Sequence, residues 1–216
     1  MINQISLLDK INKFKKYLFD QPFILLARPN KEVYKDELAR KKFENKLNQL
    51  INIGLLNLEI PWQDNENWLD LMSGLKLKFP HIQLGSASIL NKKSIDDSLK
   101  LGLDFSMMQF WQKDLYIYTQ KKNYLLIPGL KFLQDFKEAT SINCQIVKIF
   151  PVEDKEKILD IKKNNKIFFI GAGGVSFNDL YRFNSLGYKA IVIGKKGFDG
   201  KLFDPNIYKW LKDNSK

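Results

Sequence analysis

The chain has 216 residues, 44% of them hydrophobic and 27% charged, with a formal net charge of +11. That balance belongs to a soluble globular protein with one substantial core, and no apolar stretch approaches the roughly 18 residues of a membrane span. Cys144 is the only cysteine, which excludes an internal disulfide and a multi-cysteine zinc site and fits a reducing, cytoplasmic home.

The first element is an amphipathic helix, because Leu7, Leu8, Ile11, Phe14 and Leu18 recur at three- and four-residue steps. It lacks the apolar centre and cleavage site of a signal peptide. Pro22 to Ala27 is a short apolar run ending at Arg28-Pro29, and a helix is expected over Glu32 to Ile53, stopped by Gly54. The pattern then repeats. Strands are expected at Leu55–Ile60, Ile82–Leu84, Leu103–Met108 and Tyr124–Ile127, with helices at Trp68–Leu77, Ser94–Leu101 and Phe132–Thr140. No element is assigned between Gln109 and Tyr124. Gln145–Phe150, Ile167–Ile170 and Ala190–Ile193 are the last strands, and Lys155–Lys163, Phe177–Leu186 and Ile207–Lys212 the last helices.

Eight strand candidates alternating with helices imply right-handed crossovers and a parallel sheet. In this length they fit an α/β fold, a (β/α)8 TIM barrel, with the helix at residues 1–20 packed on it and residues 1–216 forming a single domain. A doubly wound open sheet is the competing arrangement.

In a barrel, catalytic groups stand at the C-terminal ends of the strands. Lys148 lies in the run Gln145-Ile-Val-Lys-Ile-Phe-Pro151, where nothing else is charged. Burial lowers the pKa of an ammonium, and the neutral amine attacks carbonyl carbons, so Lys148 is a candidate Schiff-base former. The competing reading is a strand-end lysine whose stem reaches water. Glu59, inside Leu55-Leu-Asn-Leu-Glu-Ile60, is a second lone charge in an apolar strand. Within one barrel it is expected to pair with Lys148, each holding the other charged, either as an acid–base partner or as a structural ion pair. Other strand-end polar residues are Arg28, Ser86, Ser88 and Gln109.

The turns Gly171-Ala-Gly-Gly-Val-Ser176 and Gly194-Lys-Lys-Gly197 follow the last two strands, where many barrels bind phosphate. Ser176 is placed to cap the helix beginning at Phe177. The alternative is glycines that only supply positive φ. The first turn fails the G-x-G-x-x-G dinucleotide pattern, since Ser176 takes the last glycine position. His81, the only histidine, precedes a strand and reads as structural. No cofactor and no metal are therefore expected. The net charge admits nucleic acid or an anionic metabolite as partner, but no basic stripe interleaves with aromatics, so no nucleic acid and no membrane partner are expected.

Together these strand ends resemble one family, the 2-keto-3-deoxy-6-phosphogluconate and 2-keto-4-hydroxyglutarate aldolases, over about Gln21 to Lys212. The family's K-F-F-P-A-E is similar to Lys148-Ile-Phe-Pro-Val-Glu153, its E-V-T-L-R to Glu59-Ile-Pro-Trp-Gln63, and its G-A-G-T-V-L-N to Gly85-Ser-Ala-Ser-Ile-Leu-Asn91. Its I-P-G matches Ile127-Pro-Gly129, and its P-T-G-G-I-S resembles Gly171–Ser176. The resemblance implies a metal-independent, homotrimeric (β/α)8 class I aldolase of sugar-acid breakdown (the Entner-Doudoroff pathway). In it, Lys148 forms a Schiff base with a keto acid and Glu59 is the acid–base group. The implied substrate contacts are Gln63, Ser88, Arg28, Phe150, Gly173, Gly174, Ser176, Gly194, Lys195 and Lys196. The resemblance is that of a divergent member. Gln63 stands where the family has the arginine that binds pyruvate's carboxylate, Met108-Gln109-Phe110 replaces S-P-G, and Gly194-Lys195-Lys196 replaces G-G-S. The expected reaction is cleavage of a 2-keto-4-hydroxy acid, phosphorylated or not, to pyruvate and an aldehyde. The alternative is a catalytically impaired barrel that binds an anionic metabolite or a protein partner.

Overall fold

A computed structural model describes residues 6–152, 166–199 and 202–214. Nine strands form one all-parallel sheet in the order β5-β4-β3-β2-β1-β9-β8-β7-β6. They are β1 (Phe23–Leu26), β2 (Asn57–Pro61), β3 (Gln83–Ile89), β4 (Phe105–Met108), β5 (Leu126–Ile127), β6 (Gly129–Leu130), β7 (Ile146–Ile149), β8 (Phe168–Ala172) and β9 (Ala190–Ile193). The described helices are α1 (Leu7–Asp20), α2 (Glu37–Asn52), α3 (Glu66–Lys78), α4 (Lys92–Lys100), α5 (Lys113–Lys121), α6 (Leu133–Ser141), α7 (Leu180–Ser185) and α8 (Pro205–Asn214). The expected helix at Lys155–Lys163 lies outside the described residues.

The two sheet ends are one wall position. β5 pairs with β4 and β6 pairs with β7, and only Pro128 separates them. Proline has no N–H to give a ladder, so the pairing changes sides there. Its carbonyl still accepts from the Lys148 N–H at 2.8 Å. The strand expected to end at Ile127 therefore continues to Leu130 and closes a (β/α)8 barrel.

Side chains alternate across the wall. Leu25, Leu58, Val147, Ile149, Ile191 and Ile193 point outward into the helix layer. Ile24, Leu26, Met107, Ile146, Ile170 and Val192 point inward and form a separate interior cluster. Helix α1 joins that interior cluster through Ile11, Phe14 and Leu18. It starts at a capping box between Ser6 and Asp9 and packs Phe14 on Phe105, with ring centroids 4.7 Å apart. The turn after it is pinned by two buried amides. Gln21 Oε1 accepts from Leu56 N at 2.9 Å, and Asn57 Nδ2 donates to Gln21 O at 3.1 Å.

Two other elements differ from expectation. The helix expected over Glu32–Ile53 is broken into a 3-10 turn (Lys31–Tyr34) and α2, because Asp36 adopts extended backbone and its Oδ1 caps Ala39 N at 2.6 Å. Helix α5 occupies the unassigned stretch. Its Tyr116-Ile-Tyr-Thr119 favours strands by propensity, and Gln112 gives it no side-chain cap. Outside the wall, Ser86 Oγ hydrogen-bonds Ser98 Oγ (2.8 Å) and Ser106 Oγ (2.6 Å), and Ser106 Oγ hydrogen-bonds the Tyr124 hydroxyl (2.8 Å). This buried chain of hydroxyls locks α4 against β3 and β4.

Phe14 has no exposed surface. Its replacement by alanine is expected to cost about 3–5 kcal/mol of stability, read as a lowered urea midpoint. A midpoint within error of wild type would mean α1 does not close the barrel's N-terminal end.

Candidate active site

The C-terminal ends of the strands surround a cavity of about 410 Å³. Lys148 and Glu59 both line it. Each takes an inward position, Lys148 two residues after Ile146 on β7 and Glu59 two after Asn57 on β2. Lys148 is 7% exposed and Glu59 1%. The Lys148 amine also lies over the Phe150 ring, 5.7 Å from its centroid. The apolar strand β7 turns Lys148 into the barrel interior.

The expected pairing is corrected by the structure. Among the described residues Glu59 and Lys148 form no direct ion pair, and Glu59 Oε2 has no hydrogen-bond partner. They interact only through space, so burial dominates both. Burial raises the Glu59 carboxyl to about 7, against the opposing pull of Lys148 and Arg28. Burial lowers the Lys148 pKa, partly offset by Glu59 and reinforced by Arg28. Each group is pushed toward its neutral form instead of being held charged. A buried amine with a depressed pKa facing a carboxyl that titrates near neutrality suits carbonyl and proton-transfer chemistry.

Arg28 follows β1, lines the same cavity and acts on both buried groups. Ser88 lines it from the end of β3 with φ of 59°, in the left-handed region. Phe150, Gly173, Gly174, Gly194, Lys195 and Lys196 complete the sequence-derived residues around the cavity. The turn after β8 requires glycine. Gly173 has φ of 98°, and a Cβ there would stand 2.9 Å from the Pro151 Cα. Lys196 Nζ donates to the Gly174 carbonyl and ties this turn to the one after β9.

Three sequence-derived residues fall outside the cavity lining, and one of them, Ser86, turns its hydroxyl to Ser98 and Ser106 outside the wall. Gln63 follows Trp62, whose indole N–H donates to Asp97 Oδ2 at 3.0 Å and draws the chain toward α4. The Gln63 side-chain oxygen accepts from Asn65 Nδ2 at 3.3 Å. Ser176 stands at the head of the 3-10 turn Phe177–Asp179, but its hydroxyl and N–H both donate to Asp179 Oδ2, at 2.8 and 2.9 Å. The carboxylate does the capping there, and the serine hydroxyl is spent on it. Gln109, read as a strand-end polar residue, lines the cavity, which also takes in the apolar Leu26, Ala87, Ala172 and Val192. Inward alternation along each strand is the signal that finds the apolar four.

The family described as KDPG and KHG aldolase matches residues 38–209. The KDPG aldolase of Zymomonas mobilis ZM4, solved with 3-phosphoglycerate, aligns with TM-score 0.75 at 17% identity, over 94% of this chain and 95% of that one. The KDPG aldolase of Legionella pneumophila, solved with pyruvate captured as a covalent carbinolamine, aligns with TM-score 0.72 at 16% identity, over 93% and 95%. A 3-hexulose-6-phosphate synthase also aligns, with TM-score 0.59 at 14% identity, over 88% of this chain and 99% of that one. At such identities these structures speak for the barrel alone. No curated protein sequence matches significantly. The family match covers well over half of the sequence and includes both buried charges, so the chain belongs to the KDPG and KHG aldolase family.

Proposed function

We propose that the protein is a class I aldolase that cleaves a 2-keto-4-hydroxy acid to pyruvate and an aldehyde. The observation that carries this reading is the buried Lys148 amine, unpaired and pushed toward neutrality, sharing a cavity with Glu59. The amine attacks the C2 carbonyl, and the carbinolamine loses water to give a protonated imine. Glu59, directly or through water, takes the proton of the C4 hydroxyl. The C3–C4 bond breaks, its electrons pass to the imine, and the aldehyde leaves an enamine of pyruvate. Protonation at C3 and hydrolysis, which returns the water, release pyruvate and free Lys148.

With Gln63 directed away, Arg28 is the cation that holds the carboxylate beside the keto carbon. Its influence on both Glu59 and Lys148 supports this. Ser88 and Phe150 complete the pyruvate end. Lys195, Lys196 and the Gly173-Gly174 and Gly194 turns suit a more distant anion such as a phosphate. Family membership favours a cytoplasmic homotrimer in sugar-acid breakdown.

Borohydride with pyruvate is expected to leave an irreversible adduct on Lys148. Lys148→Ala should lose the adduct and lower turnover on the order of 10⁴-fold or more. A peptide digest without the adduct, under conditions that label an active relative, would contradict the reading and favour an impaired barrel. Glu59→Gln should lower kcat on the order of 10²- to 10⁴-fold. In the wild type, kcat/KM should fall as pH drops below about 7, because a carboxyl raised to that value becomes protonated and cannot accept the C4 hydroxyl proton. A profile flat from acid to neutral pH, or a limb that survives in Glu59→Gln, would remove Glu59 from that role. Arg28→Gln should raise KM roughly 10- to 100-fold, the value of a charged hydrogen bond, with little change in kcat. An unchanged KM would count against it.

A further inference from the structure

Gln109 is the polar residue of the cavity that the reaction above does not use. It follows β4, lines the cavity, and its amide has no hydrogen-bond partner among the described residues. Its position is held from both sides. A Cβ on Gly129 would stand 2.4 Å from the Gln109 carbonyl oxygen, so only glycine lets the two strand ends lie this close. Three residues earlier, Ser106 is locked into the buried chain of hydroxyls between β4, β3 and α4. On the adjacent strand end, Ser88 likewise lines the cavity with no hydrogen-bond partner among the described residues.

Among the described residues lining the cavity, the rim charges stand on one side. Arg28, Lys195 and Lys196 stand on the β1 and β9 side. The β3 and β4 side offers a hydroxyl and an amide, each both donor and acceptor. A carboxylate or phosphate uses only the donors of such groups and leaves the amide carbonyl unmatched. A hydroxyl uses both functions. A neutral amide and hydroxyl with both functions open match a chain carrying O–H groups.

We propose that Gln109 is a specificity-determining residue that hydrogen-bonds a hydroxyl on the aldehyde half of the substrate, selecting hydroxylated aldehydes over plain ones. This rests on the aldolase reading above. A site that bonds a hydroxyl rejects the analogue lacking it, because its polar group is left unpaired.

The test compares two acids of equal charge, 4,5-dihydroxy-2-oxopentanoate and 4-hydroxy-2-oxopentanoate, which differ by the C5 hydroxyl. Pyruvate release gives kcat/KM for each with the full chain. Wild type should favour the dihydroxy acid by roughly tenfold, the loss of a neutral hydrogen bond. Gln109→Met should bring the ratio near one by slowing the dihydroxy acid. Gln109→Asn, which keeps the amide but shortens it, should fall between and serves alone if the methionine variant does not fold. Borohydride trapping of pyruvate on Lys148 in each variant reports an intact centre. A wild-type ratio near one, no turnover of either acid, or a ratio unchanged in the variants while trapping persists overturns the role of Gln109 and leaves the Schiff base standing. No trapping in the wild type overturns both.

Discussion

The structure turns on burying two opposite charges near each other without letting them touch. A direct ion pair would hold Lys148 protonated, and an ammonium cannot attack a carbonyl carbon. Separation by the cavity lets desolvation outweigh attraction, so the carboxyl rises to about 7 and the lysine falls below its usual value. Such an arrangement costs stability, and two ionisable groups buried without a direct partner are the physical reason to read it as a site.

The remaining architecture keeps that separation fixed. Lys148 sits on β7 beside the wall position interrupted by Pro128, whose carbonyl holds the Lys148 N–H. Glu59 sits on β2, across the barrel. Beneath them, α1 fills the N-terminal end with Phe14 against Phe105, and the Gln21 and Asn57 amides fasten the turn that follows it. Above them, a cationic arc from β9 and β1 faces a neutral arc from β3 and β4. The barrel thus gives one end of the cavity to anions and leaves the other to uncharged polar groups.

The barrel was legible in the sequence because eight apolar runs alternate with helical stretches. The two buried charges were legible because they interrupt such runs. What was not legible depended on contacts distant in sequence. Pro128 reads as a stop, but its carbonyl finds a partner on β7 and the strand goes on. Tyr116-Ile-Tyr-Thr119 reads as strand material and is held as helix by packing Leu115, Tyr116 and Thr119 against the wall. Gln63 stands in a motif that resembles a family binding motif, yet its side chain bonds Asn65 and stays out of the cavity lining. Ser176 carries a capping side chain, yet Asp179 takes the hydroxyl. Motif spacing locates such residues along a strand end but does not report which competing partner claims the side chain. Glu59 and Lys148 favour each other's charged forms as expected, but burial outweighs that attraction, since proximity in a barrel does not imply contact.

The most direct test is the ionisation of Lys148 itself, followed through the pH dependence of pyruvate trapping on that residue in wild type and Glu59→Gln. The account predicts that Lys148 titrates below the ordinary lysine value of about 10.4. It also predicts a further downward move when the Glu59 charge is removed, because that charge is what favours the ammonium. A Lys148 that titrates at or above the ordinary value, or that is indifferent to Glu59, would contradict it.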